Sequence, residues 1–502
     1  MEANQAYQQG SLKTRLLIVS NRLPVVLERD RGKGWRAVPG SGGLVTALAP
    51  VLRDRGGLWV GWPGTTEASG GRLERILAQF TQNAGFTLKP VAISSEERDK
   101  YYCGFANEIT WPLFHDFPSM CKFDPSYWAA FERVNRKFAG VIKGHLATDD
   151  YIWVHDYHLI NVGRELRRLG VTEDIGFFLH IPFPALDIFL RLPWRFQLLE
   201  SFLNYNLIGF QTMRDRRNFI QCVRSLVKGV HVQGKGRVLT MRFGDRHVRV
   251  GVFPISIDFK EFADLASTEG VADEAWFIHE QLPEVQIILG IDRLDYTKGI
   301  IERLEAFRNA LRRYPELLER VVLVQVVVPS RREIAEYSNL KVEIEGLVGE
   351  INGEFTRSGW VPIHYVFRSL DRSELVAYYR TAEIALVTPF KDGMNLIAKE
   401  YCAASLEENG VLILSEFAGA AAQLQKGALL VNPHDTEGVA DAIYLALRMP
   451  QEERRQRMKR LRGSLKKQDI YWWVNSFLQA AIDKRLDNFP IVEDYRPQFE
   501  IR

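Results

Sequence analysis

No apolar run in this sequence approaches the ~20 residues that a membrane-spanning helix requires. The longest, around Val321 to Val328, has the length of a strand. The opening stretch, MEANQAYQQGSLKTR, lacks the apolar core of a secretory signal, and residues 1–14 are expected to be a loose tail. Cysteine is scarce. The four present, Cys103, Cys121, Cys222 and Cys402, show no CxxC spacing, so neither a disulfide framework nor a thiolate zinc site is indicated and a reducing cytoplasm is the expected location. Charge of one sign is also missing: 65 Lys and Arg face 62 Asp and Glu, interleaved, for a net +3, which gives no footprint for nucleic acid. GxSxG, Walker A and HExxH patterns are absent, and no GxGxxG follows the first strand, which argues against a dinucleotide oxidoreductase.

What is present is a globular composition, 46% hydrophobic and 25% charged, in a chain of 502 residues, too long for one ordinary core. Strand-like and helix-like segments alternate, which predicts an α/β protein with parallel sheets. Leu16 to Ser20, Leu58 to Trp62, Tyr151 to Val154, Ile175 to Leu179 and Leu207 to Phe210 read as strands. Gly42 to Leu52, Tyr127 to Lys143, Ile160 to Leu169, Leu192 to Leu203 and Arg214 to Val230 read as helices. Arg237 to Val252, with Gly244-Asp245 at its centre, reads as a β-hairpin. The alternation restarts at Val285, with strands at Val285 to Ile291, Val321 to Val328, His364 to Phe367, Ile384 to Val387, Val411 to Leu414 and Ala428 to Val431. Two doubly wound domains are predicted, 1–255 and 256–468, binding ligand in a cleft at the carboxyl ends of their strands, with the aromatic helix Ile470 to Leu486 in a C-terminal piece, 469–502, packing back across the junction.

The stretch Glu383 to Tyr401, EIALVTPFKDGMNLIAKEY, predicts strand, loop and helix. It puts Asp392 at a sheet's carboxyl edge, and amides from Gly393 to Leu396 at a helix start suited to an anion. With the helix beginning near Met394, Glu400 falls roughly 12 Å along the axis from Asp392. Two acids flanking such amides could hold a sugar nucleotide, or the stretch could be an ordinary βα unit. GIDRLDYTKG places Arg293 and Lys298 on the same edge, where two cations can meet a diphosphate. In the first domain, Arg22 follows a strand and Ser41-Gly42-Gly43 opens a helix. Tyr102 and Trp111, in a loop-like region, could contact a phosphate or pack, and Trp59 and Trp62 could equally be core. Asp156, in HDYH, and His180, in FFLHIPFP, end adjacent strands and suit hydrogen bonding in a polar site better than metal ligation. Arg331 could add an anion contact.

Taken together, SGGL, LWVGW, HDYHL, FFLHIPFP, RLDYTKG, GEINGEF and KDGMNLIAKEY occur in the order seen in the trehalose-6-phosphate synthase family, which the chain resembles from VSNR to beyond VNPHD. That resemblance implies a GT-B fold of two Rossmann-like domains and a retaining glycosyltransferase that moves glucose from UDP-glucose, or another nucleoside diphosphate glucose, to glucose 6-phosphate. The acceptor would be held by Arg22, Tyr102, Trp111, Asp156 and Arg331. The donor would be held by Gly42, Gly43, His180, Arg293, Lys298, Asp392, Leu396 and Glu400. It further implies no metal, cofactor or covalent nucleophile, and a trehalose-6-phosphate phosphatase on a separate chain as pathway partner, since no fused phosphatase is evident. Membrane and nucleic acid are not expected partners, and a homo-oligomer is allowed. Rival readings are another acceptor on the same fold (glucosylglycerol phosphate or a cyclitol), a sugar-nucleotide epimerase or oxidoreductase, and a non-catalytic sugar-phosphate sensor.

Overall fold

A computed structural model describes residues 14–30, 34–40, 43–66, 71–282, 284–331, 334–483 and 493–497. Residues 1–13 of the expected tail, Ser41, Gly42 and residues 484–486 of the expected last helix lie outside these. The chain divides into two units, one ending at Phe253 and resuming at Val474, the other running from Pro254 to Trp473 and including residues 493–497. Of the predicted C-terminal piece, residues 469–473 and 493–497 fall in the second unit and residues 474–483 in the first.

In the first unit a nine-stranded sheet has the order Thr87–Pro90, Gly57–Trp62, Leu16–Arg22, Tyr151–His155, Ile175–Phe178, Leu207–Phe210, Arg246–Val252, Val238–Phe243 and His231–Gln233. Neighbours are parallel through Arg246–Val252, and the last two pairings are antiparallel. The hairpin expected between Arg237 and Val252 pairs Phe243 with Arg246 and turns through Gly244-Asp245, glycine supplying the φ of 54° that the first turn position needs. The central strands are continuous apolar runs because helices cover both faces of a parallel sheet. Ile152, Trp153 and Val154 are wholly buried. The helix Pro125–Lys143 starts where the Asp124 side chain accepts from the Ser126 amide and proline takes the first turn, and it buries Trp128, Phe131, Val134, Phe138 and Ile142 along one stripe. Phe477, on the helix Ile470–Leu478, stacks on Trp153 with ring centroids 4.2 Å apart.

The second unit has six parallel strands in the order Ile363–Val366, Val321–Val328, Gln286–Arg293, Ile384–Val387, Val411–Ser415 and Leu429–Val431. The order reverses between the neighbours Gln286–Arg293 and Ile384–Val387. Their carboxyl ends deliver GIDRLDYTKG and KDGMNLIAKEY side by side, at the kind of switch point where doubly wound folds bind ligands.

Candidate active site

In the second unit Lys298 and Asp392 meet. Lys298 closes a 3-10 turn, Tyr296–Lys298, and its ammonium lies 2.5 Å from Asp392 Oδ2. The following Gly299 has φ 60°, and a β-carbon there would stand 2.6 Å from the Thr388 carbonyl, so only glycine lets the two loops approach this closely. The Phe390 amide donates to the Thr297 carbonyl at 2.9 Å, a second tie between them.

The helix Leu396–Ala404 begins two residues later than Met394, so Asp392 precedes it and the axial spacing of about 12 Å to Glu400 does not apply. The amide row is also not uniformly open, because the Met394 amide donates to Asp392 Oδ1 at 3.2 Å. Asn395, in the left-handed region at φ 75°, caps the helix by accepting from the Ala398 amide at 3.1 Å. The first-turn amides of Leu396 and Ile397 have no acceptor within the helix, which is what an anion needs. Glu400 is partly buried and accepts from the Tyr379 hydroxyl at 2.9 Å, and burial raises its proton affinity.

Asp295, between Arg293 and Lys298, is wholly buried and organises the cations around it. Arg293 lies 3.6 Å and Arg331 3.5 Å from its Oδ2. Burial would raise this carboxyl, but Arg331, Arg293, Lys298 and the Thr297 amide together hold it below the ordinary value. Beneath the turn, wholly buried Arg303 pairs with Asp292 at 2.6 Å and donates to the Thr388 hydroxyl at 3.0 Å and the Lys298 carbonyl at 3.3 Å. Replacing Arg303 with Met removes the main counter-charge of a buried acid, and urea denaturation should show a loss of about 3–5 kcal/mol. A loss under about 1 kcal/mol would mean the pair does not support the turn.

In the first unit Arg22, Asp156 and His180 sit at or just beyond the carboxyl ends of adjacent strands. The Arg22 guanidinium lies 4.6 Å from the Trp62 ring centroid, and Tyr102 stacks on His158 at 5.7 Å. Asp156 has φ 75° and ψ 166°, a conformation otherwise left to glycine. Its amide donates to the Phe178 carbonyl at 2.8 Å and its Oδ1 accepts from the His180 amide at 3.2 Å. His155 Nδ1 and His180 Nε2 are 3.2 Å apart, one ring donating and the other accepting. Burial pulls His180 down to about 3, so it is neutral at physiological pH and serves as a hydrogen-bonding group rather than a proton donor.

Tyr102 and Trp111 lie on helix, not loop. Arg98–Thr110 is a π-helix continuous with the short helix Trp111–Phe114. The wide turn is pinned where Asn107 donates to the Tyr102 carbonyl at 2.7 Å and accepts from the Tyr157 hydroxyl at 3.0 Å. Trp111 packs on His115, ring centroids 4.1 Å apart, with its indole nitrogen buried. Trp59 is core, donating to the Ser20 hydroxyl at 2.7 Å. Arg331, at φ 46°, belongs to the second unit, where it also donates to the Tyr337 hydroxyl at 2.5 Å. Gly43 opens the helix Gly43–Arg55 as expected, while Gly42 is outside the described residues. Sequence reasoning missed Asp295, Asn395, Tyr379 and Arg303. Asp295 and Asn395 stand inside the two loop motifs and could have been found there, one as the acid between two cations and the other as a helix cap three residues before Ala398; Tyr379 and Arg303 declare themselves only through partners further along the chain.

Among the described residues no group of three or more His, Cys, Asp or Glu is placed to hold a metal, and no helix is long and apolar enough to cross a membrane. Glycosyltransferase family 20 matches residues 14–483. The trehalose-6-phosphate synthase of Mycolicibacterium gilvum is 42% identical over 481 residues, 94% of this chain and 95% of that protein. An α,α-trehalose-phosphate synthase (UDP-forming) from Burkholderia xenovorans, solved with glucose 6-phosphate, superposes with a TM-score of 0.83 at 36% identity, covering 93% of this chain and 99% of that one. An Escherichia coli structure bound with UDP-2-fluoro glucose gives a TM-score of 0.83 at 35% identity, over 93% and 99% of the two chains. With these neighbours the α/β architecture is that of the GT-B class, and the chain belongs to glycosyltransferase family 20.

Proposed function

We propose that this protein transfers glucose from UDP-glucose to glucose 6-phosphate with retention of configuration, giving α,α-trehalose 6-phosphate and UDP. The observation that carries the reading is the Lys298–Asp392 pair seated just before the helix start at Leu396, with Arg293 held 3.6 Å from Asp295 in the Lys298 loop and Glu400 one turn further on. That array offers cations and amides to a diphosphate, Asp392 to the hydroxyls of the transferred glucose, and Glu400 to a ribose. The relatives solved with glucose 6-phosphate and with UDP-2-fluoro glucose support the same pairing of substrates.

As the anomeric C–O bond to the diphosphate breaks, negative charge grows on the leaving phosphate. Lys298, Arg293 and the helix amides stabilise that charge more than they stabilise the ground state, which lowers the barrier. The acceptor hydroxyl attacks on the face being vacated and passes its proton to the leaving phosphate oxygen, so retention needs no protein nucleophile. Asp392, already engaged by Lys298, Met394 and Asn395, is better suited to anchoring hydroxyls than to taking a proton. On the acceptor side we assign Arg22, Tyr102, Trp111 and Arg331 to the phosphate and Asp156 to the sugar hydroxyls; Gly42, Gly43 and His180 complete the donor contacts. A phosphatase on a separate chain would consume the product, and a cytoplasmic location fits four cysteines that form no disulfide.

Purified protein should release UDP from UDP-glucose only when glucose 6-phosphate is added. Equal release with glycerol 3-phosphate would overturn the acceptor assignment, and release from neither would favour the sugar-phosphate sensor.

A further inference from the structure

The helix Leu396–Ala404 is held along its whole length. Asn395 caps its start, and the Tyr401 hydroxyl donates to the Ala382 carbonyl at 3.0 Å. Arg462 donates to the carbonyls of Cys402, Ala403 and Ser405 at 2.9, 2.6 and 2.9 Å, placing a cation at the negative end of the helix. Between these ends lies Lys399, wholly buried. Its ammonium donates to the Ile255 carbonyl at 2.7 Å and to Gln423 Oε1 at 2.7 Å.

Both acceptors are neutral. Burying an ammonium on a carbonyl and an amide, where a carboxylate would offset its desolvation, is unfavourable, and burial lowers the Lys399 proton affinity to about 7. A methionine would fill much of the same volume without this cost, so a buried lysine points to a use for the bonds it makes.

Its two partners indicate that use. Gln423 lies on the short helix Ala421–Leu424, directly after the segment that backs the Asp392 loop. The Gly419 amide donates to the Asp392 carbonyl at 3.0 Å, and the Ala420 amide to the Met394 carbonyl at 2.8 Å. A β-carbon on Gly419 would stand 2.0 Å from the Gly393 carbonyl, so loop and backing segment are in close contact. Ile255 belongs to the stretch that opens the second unit, whose Ile257 carbonyl accepts from the Ile470 amide at 2.9 Å. Lys399 thus joins three pieces: the helix carrying Leu396 and Glu400, the segment backing Asp392, and the entering chain.

We infer that Lys399 is a positioning residue for the donor, fixing the register of the Leu396–Ala404 helix against the Asp392 loop so that the first-turn amides and Glu400 face one ligand together. The inference rests on the reading that this helix holds the nucleotide sugar. Lys399 itself is wholly buried and acts through Leu396, Glu400 and Asp392.

The test is steady-state kinetics and UDP calorimetry on full-length Lys399→Met, with thermal melting to establish that it folds. Because misplacement by about 1 Å is costly, the UDP-glucose KM and the UDP Kd should both rise roughly tenfold or more. The glucose 6-phosphate KM should stay within about twofold, as expected for a change confined to donor binding. Equal changes for both substrates, or none, would overturn the inference. If Lys399→Met does not fold, Gln423→Leu decides the matter: it removes one of the two bonds and should raise the donor KM alone, about threefold. Glu400→Gln separates the two levels. If it too leaves UDP affinity unchanged, the donor reading itself fails; if it weakens UDP while a folded Lys399→Met does not, only the role of Lys399 falls.

Discussion

Replacing Lys298 with Met should lower kcat by about 10²–10³-fold, the range seen when a preorganised donor to developing negative charge is removed. The ammonium is nearly buried and already fixed against Asp392 at 2.5 Å, by a turn that Gly299 lets approach the Thr388 carbonyl. It therefore needs little reorganisation when charge appears on the leaving diphosphate. Folding should survive, because Asp392 keeps its bonds from Met394 and Asn395. Arginine should rescue poorly, since a planar fork does not replace a point charge in a closed turn. Steady-state kinetics with a UDP-release assay reads the effect. A Lys298→Met enzyme within about threefold of the parent would show that the leaving charge is stabilised elsewhere.

The second large effect is expected at Asp156, where stability and activity should part. Its backbone at φ 75° and ψ 166° costs a non-glycine residue on the order of 1–3 kcal/mol. Alanine keeps that strain and loses the bond to the His180 amide, whereas glycine loses the bond and relieves the strain. Asp156→Gly should therefore be more stable than Asp156→Ala by about 1–3 kcal/mol. Denaturation midpoints of the two variants measure this. Both should raise the glucose 6-phosphate KM by about 10–100-fold, as expected for losing one or two charge-assisted bonds to sugar hydroxyls. If the alanine and glycine variants melt together, the strain is not real. If either keeps the parent KM, Asp156 does not touch the acceptor.

Much of this site was legible because its chemistry lies in short segments after strands, where sequence order and spatial order agree. Arg22, Asp156, His180, Arg293 and Asp392 all end or follow strands that the apolar runs marked correctly, so their place on a carboxyl edge followed from the alternation alone. What lay beyond reach was of two kinds. The π-helix Arg98–Thr110 differs from an α-helix by about one residue per turn, and with Gly104 inside it and apolar residues scattered around it, no periodicity announced it. The strand pair Val25–Asp30 and Gly34–Pro39 likewise escaped notice. In the first strand three apolar residues, Val25 to Leu27, are followed by three charged ones, Glu28 to Asp30, so it lacks the alternation that marks a half-buried strand.

The other kind is buried polar pairing. Nothing in the sequence marks Asp295, Arg303 and Lys399 as buried, since Asp, Arg and Lys are ordinarily solvated. Only the fold shows Asp295 between Arg293 and Arg331, Arg303 across from Asp292, and Lys399 on the Ile255 carbonyl 144 positions away. Each supports a residue that the motifs did identify. The motifs therefore located the groups proposed to meet substrate, while the groups that hold them still became visible only with their partners.

The most direct measurement is NMR of the product formed when the protein is given UDP-glucose and glucose 6-phosphate together. A single phosphorylated disaccharide with both anomeric centres in the α configuration, formed in step with UDP, is the expected result. A β linkage, free glucose from UDP-glucose hydrolysis, or no turnover would contradict the assignment of this site to retaining glucosyl transfer.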